Sequence, residues 1–260
     1  MPLLFQVLAS GSKGNAILVS SPRTHILLDV GLTGKELVRR LDRSPTTAKH
    51  LDALVLTHEH RDHISGAGVL SRRFELPVYL SRGTLENLPP QIGAFSSVQL
   101  FQAGVTFTIG DLQLQAFAIS HDAGEPVGFI VEHEGVRLGV CTDIGTVTQL
   151  VRTRMQGCHG LILEANHDSK LLLNGPYPWH LKQRIRSRHG HLCNEDTFEL
   201  LRTLFHEALQ SVVFAHLSEV NNHPSLVVES VEGFRRHSDA HDIRFEIGRQ
   251  DEVAPAIEVT

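Results

Sequence analysis

Four potential metal-binding side chains lie within six residues of this chain, directly after an apolar segment. The sequence HEHRDH occupies positions 58–63 and follows Leu51–Leu56, which has the composition of a buried strand. In extended backbone His58 and His60 point the same way. Asp62 and His63 follow after the chain turns and can reach a second point nearby. Imidazole and carboxylate groups bind divalent metals, and burying them without partners is costly, so the cluster predicts a metal site at a strand end.

The rest of the chain alternates short apolar strands, several of them in hairpins, with helices. Gly110-Asp111 and Glu134-Gly135 are turn sequences between pairs of strands. Asn194–Gln210 has apolar residues at helical spacing and predicts a long helix. This order does not fit a strictly alternating parallel α/β fold. It predicts an α+β arrangement of two mixed sheets packed face to face with helices outside, and we expect one domain over residues 1–260.

Composition and charge restrict the class of protein. Hydrophobic residues make up 41% and charged residues 20% of the chain, as in soluble globular proteins. No apolar run reaches the length of a membrane span and the N-terminus lacks the basic region of a signal peptide, so we expect a cytoplasmic protein. Cys141, Cys158 and Cys193 are well separated, which argues against a disulfide framework or a cysteine zinc site. With a net charge of −5, a nucleic-acid partner would require a local basic stripe.

The pattern His-x-His-x-Asp-His after a strand resembles the signature of the metallo-β-lactamase superfamily, and all four positions match. The resemblance implies the metallo-β-lactamase fold, an αββα sandwich with the metal site at one end of the two sheets. It also implies three further ligands, each of which follows an apolar strand in this sequence: His121, Asp143 and His216. His223 is the alternative to His216 as the last ligand.

The resemblance further implies two divalent metal ions and a division of the ligands between them. The first ion would be held by His58, His60 and His121, the second by Asp62, His63 and His216, and Asp143 would bridge the two. A set without cysteine offers only nitrogen and oxygen, which leaves Zn²⁺ and Mn²⁺ open, with iron as a further option. Such a pair would activate water and polarise the scissile group, with Asp62 and Asp143 as catalytic residues.

Four further stretches resemble one branch of the superfamily, the YycJ (WalJ) proteins, and the resemblance runs from residue 5 to about 225. They are the Gly/Ser loop at 9–15, Asn166-His167-Asp168, Gly175-Pro176-Tyr177-Pro178 and Gly190-His191-Leu192-Cys193-Asn194. Cys193 departs from the pattern, where a small hydroxyl residue is expected. Members of this branch are regarded as DNA exonucleases of 5′-to-3′ polarity. The resemblance therefore implies hydrolysis of phosphodiester bonds in single-stranded or 5′-ended DNA.

Residues that could contact such a substrate fall within these stretches or, for the arginines, between the last two of them. Three arginines alternate with Lys182 within seven residues and form a basic stripe suited to phosphates, with a solvated surface segment as the equal alternative. The Gly/Ser loop offers N–H groups and hydroxyls to a phosphate and could equally be a plain turn. His167 and His191 are catalytic candidates, able to protonate a leaving alkoxide. The candidate substrate-binding residues are Ser10, Ser12, Asn15, Arg184, Arg186 and Arg188.

Two other functions stay open at this point. The superfamily also cleaves small thioesters, lactones and cyclic phosphodiesters, so fold and metal site alone do not choose the substrate. Neutralising the basic stripe should cripple a nuclease and spare a small-ester hydrolase. The other alternative is a metal-stabilised binding module without turnover. The intact set of ligand candidates argues against it, because a degenerate site would be expected to have lost ligands.

Overall fold

Two mixed β-sheets pack face to face in the computed structural model, which describes residues 2–238 and 240–260. The strands are β1 (Leu3–Ala9), β2 (Ala16–Ser20), β3 (His25–Leu28), β4 (Ala53–Val55), β5 (Pro77–Leu80), β6 (Ser97–Leu100), β7 (Thr106–Ile109), β8 (Leu112–Ala118), β9 (Val127–His133), β10 (Val136–Cys141), β11 (Gly160–Glu164), β12 (Ser211–Ala215), β13 (Arg244–Ile247) and β14 (Ile257–Val259). The helices are α1 (Gly34–Leu41), α2 (Arg61–Ile64), α3 (Ala67–Phe74), α4 (Arg82–Glu86), α5 (Gln149–Met155), α6 (Ser169–Asn174), α7 (Trp179–Ile185), α8 (Asn194–Leu204) and α9 (Pro224–Arg235), with short 3-10 helices at Ala48–His50 and Pro90–Ile92.

The two sheets share one plan of strand directions. The first sheet has the order β14-β1-β2-β3-β4-β5-β6, antiparallel from β14 to β3 and parallel from β3 to β6. The second has the order β13-β12-β11-β10-β9-β8-β7, parallel from β13 to β10 and antiparallel from there. The parallel strands of each sheet end at the same edge, so residues that follow β4, β10, β11 and β12 can converge.

Three apolar clusters hold the layers together. The cluster between the sheets includes Phe5 and Phe129. Helices α5, α8 and α9 cover the second sheet through residues such as Phe198 and Phe234. Helices α1 and α3 cover the first sheet, where Leu37 is fully buried. Burying a large apolar side chain contributes about 1.5–3 kcal/mol, so these clusters stabilise the helix-sheet-sheet-helix order, and the predicted αββα sandwich is confirmed.

Several elements differ from the sequence-based expectation. The helix predicted over Asn194–Gln210 ends at Leu204, because Phe205 already has extended backbone with ψ 131°. Strand β6 was not predicted, and its four residues are all exposed at a sheet edge, so they lack the alternation that marks a half-buried strand. Helices α6 and α7 were also not predicted, and α7 contains Lys182 and Arg184 of the basic stripe.

The chain ends meet in the first sheet, where β1 pairs with β14. This pairing supports a single domain over residues 1–260, which stays a prediction. Among the described residues no helix has both the length and the apolar composition that crossing a bilayer requires. Cys141, Cys158 and Cys193 are free thiols in the structure.

Candidate metal centre

The candidate ligands follow the ends of β4, β8, β10 and β12, and the backbone turns sharply there. Asp143 and His216, each just past a strand, have left-handed backbone with φ 56°. Asp29, just past β3, has φ 60°. Residues other than glycine rarely adopt this region, at a cost of order 1 kcal/mol each. These turns lie at the edge where the strand ends of the two sheets converge, and such outliers cluster at functional sites.

The first group of ligand candidates consists of His58, His60 and His121, whose ligand atoms all lie within 4.8 Å of one another. His60 Nε2 lies 3.2 Å from the carbonyl oxygen of Asp122, and His121 Nδ1 lies 3.2 Å from that of Gly190. Since a carbonyl only accepts, both of these nitrogens carry protons. The other two ring nitrogens, His60 Nδ1 and His121 Nε2, face each other at 3.2 Å and are both acceptors.

This arrangement fits a bound cation. Two facing lone pairs cannot satisfy one another, whereas a metal ion between them would be bound by both. His58 Nε2 is buried in the same group and has no hydrogen-bond partner in the described part of the chain. Burial also lowers the pKa of His58 well below its usual value, so its imidazole is neutral near neutral pH. A neutral imidazole is the form that binds a metal.

The second group consists of Asp62, His63, Asp143 and His216, and its ligand atoms also lie within 4.8 Å of one another. His63 Nε2 lies 3.5 Å from Asp62 Oδ2 and 3.3 Å from Asp143 Oδ2. His216 Nε2 lies 3.4 Å from Asp62 Oδ2. Asp143 Oδ2 is buried and has no hydrogen-bond partner among residues 2–238 and 240–260. An unpartnered buried carboxylate oxygen is costly, and a cation would satisfy it.

Asp143 lies between the two groups. Its Oδ1 is 4.0 Å from His121 Nε2 of the first group and 3.4 Å from His216 Nδ1 of the second. Burial would raise the pKa of this carboxyl, but the positive charges of His216 and His63 outweigh burial and hold it well below its usual range. The side chain is therefore a carboxylate in position to contact ions in both groups.

Two buried carboxylates, Asp29 and Glu164, support the second group from behind. His63 Nδ1 donates to Asp29 Oδ2 at 2.7 Å, and His216 Nδ1 donates to Glu164 Oε1 at 3.0 Å. Burial alone would lower the pKa of His63, but the charges of Asp143 and Asp29 raise it. In each histidine a metal ion would take the place of the proton on Nε2 while Nδ1 keeps its proton for the carboxylate, and this carboxylate acceptor increases the basicity of the ring.

Sequence reasoning did not identify Asp29 or Glu164 as site residues. Each is an acidic residue that directly follows an apolar run at a strand end, at the same edge as the ligand candidates. The sequence feature that could have identified both residues is an acidic side chain at the end of an apolar strand. Glu164 also accepts from the backbone N–H groups of Ile144 and Leu192 and from His191. Burial would raise its pKa, but His191 and His216 lower it to about 2.

The remaining candidate histidines lie in three different environments. His191 lines the same cavity as the ligand candidates, and its Nδ1 donates to Glu164 Oε1 at 2.7 Å. His167 is 3% exposed and does not line that cavity, and burial lowers its pKa to about 4. His223 caps the N-terminus of α9, where its Nδ1 accepts from the Ser225 N–H. The geometry therefore brings His216 to the site and leaves His223 outside it.

A cavity of about 370 Å³ opens onto the ligand candidates. Two of the candidate substrate-binding residues line it, Ser12 and Arg184. The hydroxyl of Ser10 is buried and accepts from the His216 backbone N–H at 2.6 Å. The amide of Asn15 is buried beside the second group, 3.3 Å from Asp62 Oδ2. Ser10 and Asn15 therefore contact ligand candidates rather than the open cavity.

The four cations of the predicted basic stripe have different surroundings in the structure. Lys182 is 8% exposed, and its ammonium donates to the carbonyls of Leu173 and Gly175. Arg184 reaches across the cavity to Asp122, with its Nη2 2.7 Å from the Asp122 carboxylate. Arg186 and Arg188 are exposed and do not line the cavity. One stripe of four cations therefore does not form, because Lys182 and Arg184 lie on α7 with different partners and Arg186 and Arg188 lie beyond the end of that helix.

Comparison with known proteins places the chain in a family. Residues 24–216 match the Beta-lactamase superfamily domain. The chain is similar to the exodeoxyribonuclease YycJ of Bacillus anthracis, with 36% identity over 233 residues, which cover 89% of this chain and 88% of that protein. It is also similar to the exodeoxyribonuclease WalJ of Streptococcus pneumoniae, with 36% identity over 223 residues, 84% of this chain and 82% of that protein.

Solved structures agree on the fold. The metallo-β-lactamase fold protein YhfI from Bacillus subtilis is similar over 99% of both chains, with a TM-score of 0.72 and 17% sequence identity. At this identity the likeness concerns the fold alone. Together with the domain match over most of the sequence, it completes the assignment: the chain belongs to the metallo-β-lactamase superfamily of metal-dependent hydrolases.

Proposed function

We propose that this protein is a nuclease that hydrolyses phosphodiester bonds in DNA, most specifically a 5′-to-3′ exonuclease acting on single-stranded or 5′-ended DNA. The observation that carries the proposal is the convergence of the His and Asp ligand candidates on one open cavity. The substrate class is supported by relatives named exodeoxyribonucleases that match most of the chain at 36% identity. Free thiols agree with the cytoplasmic location that we expect.

We assign two divalent ions, Zn²⁺ or Mn²⁺, to the two groups. His58, His60 and His121 would hold one ion, Asp62, His63 and His216 the other, and Asp143 would contact both. When bound, the ions would polarise the phosphodiester and supply an activated water. The nitrogen and oxygen donors suit both metals, and the unpartnered atoms of His58 and Asp143 support occupancy of both groups.

Protein side chains would perform the proton transfers and hold the substrate. Asp62, at the edge of the cavity, would orient the attacking water through a hydrogen bond. His191 would donate a proton to the leaving oxygen, because it lines the cavity and Glu164 fixes its ring. We assign this role to His191 and not to His167, which is buried outside the cavity. Ser12 and Arg184 would contact phosphate oxygens.

The test is degradation of single-stranded DNA and RNA, labelled separately at the 5′ and 3′ ends, by purified protein with Mn²⁺ or Zn²⁺. We expect metal-dependent release of label from 5′-labelled DNA first. Asp143→Ala should lower the rate about a thousandfold or more, since it removes a contact to both groups. Asp242→Ala is the matched control, because Asp242 is exposed in the turn before β13.

Two results would contradict the proposal. If neither nucleic acid is cleaved while a generic thioester or lactone is turned over, the protein is a metal-dependent hydrolase of small molecules. If DNA cleavage is equal in Asp143→Ala and Asp242→Ala, the nuclease activity does not arise at this site. Release from the 3′ label first would retain the nuclease and reverse the proposed polarity.

A further inference from the structure

A second cavity, of about 460 Å³, lies beside the metal cavity and shares a wall with it. Ser12, Arg61 and Asp62 line both cavities. The second cavity is otherwise bounded by the loop that leads into α1 and by the start of that helix, including Thr33 and Glu36. A ligand that fills both cavities must therefore cross the wall formed by Ser12, Arg61 and Asp62.

Three lysine or arginine side chains line the two cavities: Lys13, Arg61 and Arg184. Arg61 differs from the other two. Arg184 pairs with Asp122, with 2.7 Å between Nη2 and Oδ2. Lys13 pairs with Glu219, with 2.7 Å between Nζ and Oε2. Arg61 is exposed, and its guanidinium has no hydrogen bond or ion pair within the described ranges. Its charge is therefore available to a ligand.

The two acidic residues that line the second cavity, Glu36 and Asp62, are already paired with other cations. Glu36 accepts from Arg39 at 2.6 Å and from Arg40 at 2.7 Å. Asp62 Oδ2 faces His63 and His216 of the second group. Because the nearby carboxylates are neutralised by their own partners, an anion at the shared wall meets an uncompensated positive charge.

We propose that the second cavity binds the sugar-phosphate backbone of the substrate strand beyond the scissile bond, and that Arg61 binds one phosphate at the shared wall. This inference rests on the proposed nuclease function. The guanidinium offers donors in a fixed fork, which suits phosphate oxygens. Thr33 and Ser12 add hydroxyls around the path. Such contacts are independent of base sequence, as an exonuclease requires.

The first experiment measures the affinity of the metal-loaded protein for a fluorescent, nuclease-resistant phosphorothioate oligonucleotide of about 12 nucleotides. Arg61→Gln should weaken binding about tenfold and lower the slope of log affinity against log salt by about 0.7, the value for one phosphate of a single strand. Arg61→Lys retains the charge and should recover part of the affinity. The matched control is Arg202→Gln, an exposed arginine of α8 that lines neither cavity.

The second experiment locates the contact on the strand. A series of oligonucleotides carries one neutral methylphosphonate linkage, at a different position in each. Wild type should lose about tenfold in affinity at one linkage beyond the scissile bond, and Arg61→Gln should lose nothing more there, as expected for two halves of one contact. Equal affinities of Arg61→Gln and Arg202→Gln, or the same linkage sensitivity in wild type and Arg61→Gln, would overturn the inference.

Cleavage of unmodified DNA, measured in parallel, separates this inference from the proposed function. DNA cleavage by wild type with affinity independent of Arg61 overturns the backbone site and leaves the nuclease standing. Arg61-dependent binding at one linkage without any DNA cleavage supports the backbone site and overturns the nuclease activity.

Discussion

The two groups of ligand candidates are built from similar side chains but held in different ways. In the first group the rings of His60 and His121 donate to backbone carbonyls. In the second group the rings of His63 and His216 donate to the buried carboxylates Asp29 and Glu164. The His60 side chain is 30% exposed at the cavity mouth, whereas that of His63 is fully buried.

This difference predicts which group holds its side chains more rigidly and binds its ion more tightly. A carboxylate behind an imidazole fixes its tautomer and increases its basicity more than a neutral carbonyl does. His58 of the first group reaches Asp29 only through the Thr57 hydroxyl, which accepts from His58 Nδ1 at 2.9 Å and donates to Asp29 at 2.9 Å. We therefore expect the second group to bind its ion more tightly and the first to exchange it more readily.

Among the residues that support the ligand candidates, the largest effect should come from Glu164→Gln. The two oxygens of Glu164 accept four hydrogen bonds, from His191 and His216 on one side and from two backbone N–H groups on the other. An amide has only one oxygen, so at least one pair of donors loses its acceptor at a cost of about 1–3 kcal/mol for each group. Because both His191 and His216 are disturbed, we expect DNA hydrolysis to fall about a hundredfold.

The measurement is kcat/KM on DNA together with the thermal midpoint of unfolding. Glu207→Gln is the matched control, since Glu207 is exposed beyond α8. Wild-type activity in Glu164→Gln would show that carboxylate support of the second group is dispensable. The expected difference in metal affinity between the two groups would then have no basis.

A smaller and more selective effect is expected for Asp29→Asn. Asparagine tolerates the left-handed backbone at this position, so the change tests the charge and the acceptor and not the turn. His63 would lose its carboxylate partner, and we expect metal affinity to fall about 10–100-fold. Thr57→Val removes the neutral hydroxyl partner of His58 and should cost less than about tenfold. Isothermal titration of metal into both variants measures the two losses of affinity. A larger loss of affinity in Thr57→Val than in Asp29→Asn would contradict the expectation that the second group binds more tightly.

The first ligand candidates could be predicted from the HEHRDH cluster after an apolar strand, and the resemblance to the superfamily implied His121, Asp143 and His216, each after a further apolar strand. His58 and His63 needed no knowledge of distant contacts. Asp29 acts on His63, 34 positions further along the chain, and Glu164 acts on His216, 52 positions further along. Such support depends on which strands become neighbours, and local periodicity does not carry that information. The αββα layers, by contrast, could be predicted because apolar strands and helices have patterns that are visible in the local sequence.

The substrate-binding candidates were less predictable because their contacts are set by helix α7 and by the Gly/Ser loop. A charge count does not distinguish Lys182, which donates to carbonyls, from Arg184, which reaches the cavity. The spacing of Ser10, Ser12 and Asn15 likewise does not show that two of them contact ligand candidates and one faces the cavity. These assignments require the position of each side chain.

Stepwise removal of metal tests directly whether the two groups differ in their affinity for the ion. If the first group binds less tightly, a chelator should remove one ion per chain at a concentration about tenfold below that needed for the other. His60→Ala should abolish the first step, and Asp29→Asn should merge the two steps by weakening the second. Metal per chain, measured by mass spectrometry after dialysis at increasing chelator concentration, gives the curve. A single step that releases both ions together in wild type would contradict the expected order.

The smallest effect tests how far the support of the second group extends. Glu36 accepts from Arg40, and the buried Arg40 guanidinium donates to the carbonyls of Leu8 and Gln250. Gln250 in turn contacts the Gly/Ser loop, accepting from Lys13 N and donating to Gly14 O. Since this loop carries Ser10 and Asn15 to the second group, Glu36→Gln should loosen it slightly. Glu36 is partly exposed, so solvent screens its pairs and the loss of stability is about 0.5–1 kcal/mol.

The pH dependence of this loss has a definite sign. Hydrogen bonds from Arg39 and Arg40 lower the pKa of Glu36 from 4.5 to about 2. A carboxyl with a lowered pKa in the folded state stabilises that state above its unfolded pKa, and the contribution disappears as the pH falls through the folded pKa. The difference in unfolding free energy between wild type and Glu36→Gln should therefore be full at about pH 7 and shrink as the pH falls from about 4.5 toward 2, measured by urea denaturation. Glu86→Gln is the control, because its exposed pair with Arg82 spans 3.8 Å and contacts no ligand candidate. An equal, pH-independent loss in both variants would confine the support of the second group to Asp29, Glu164 and the Gly/Ser loop itself.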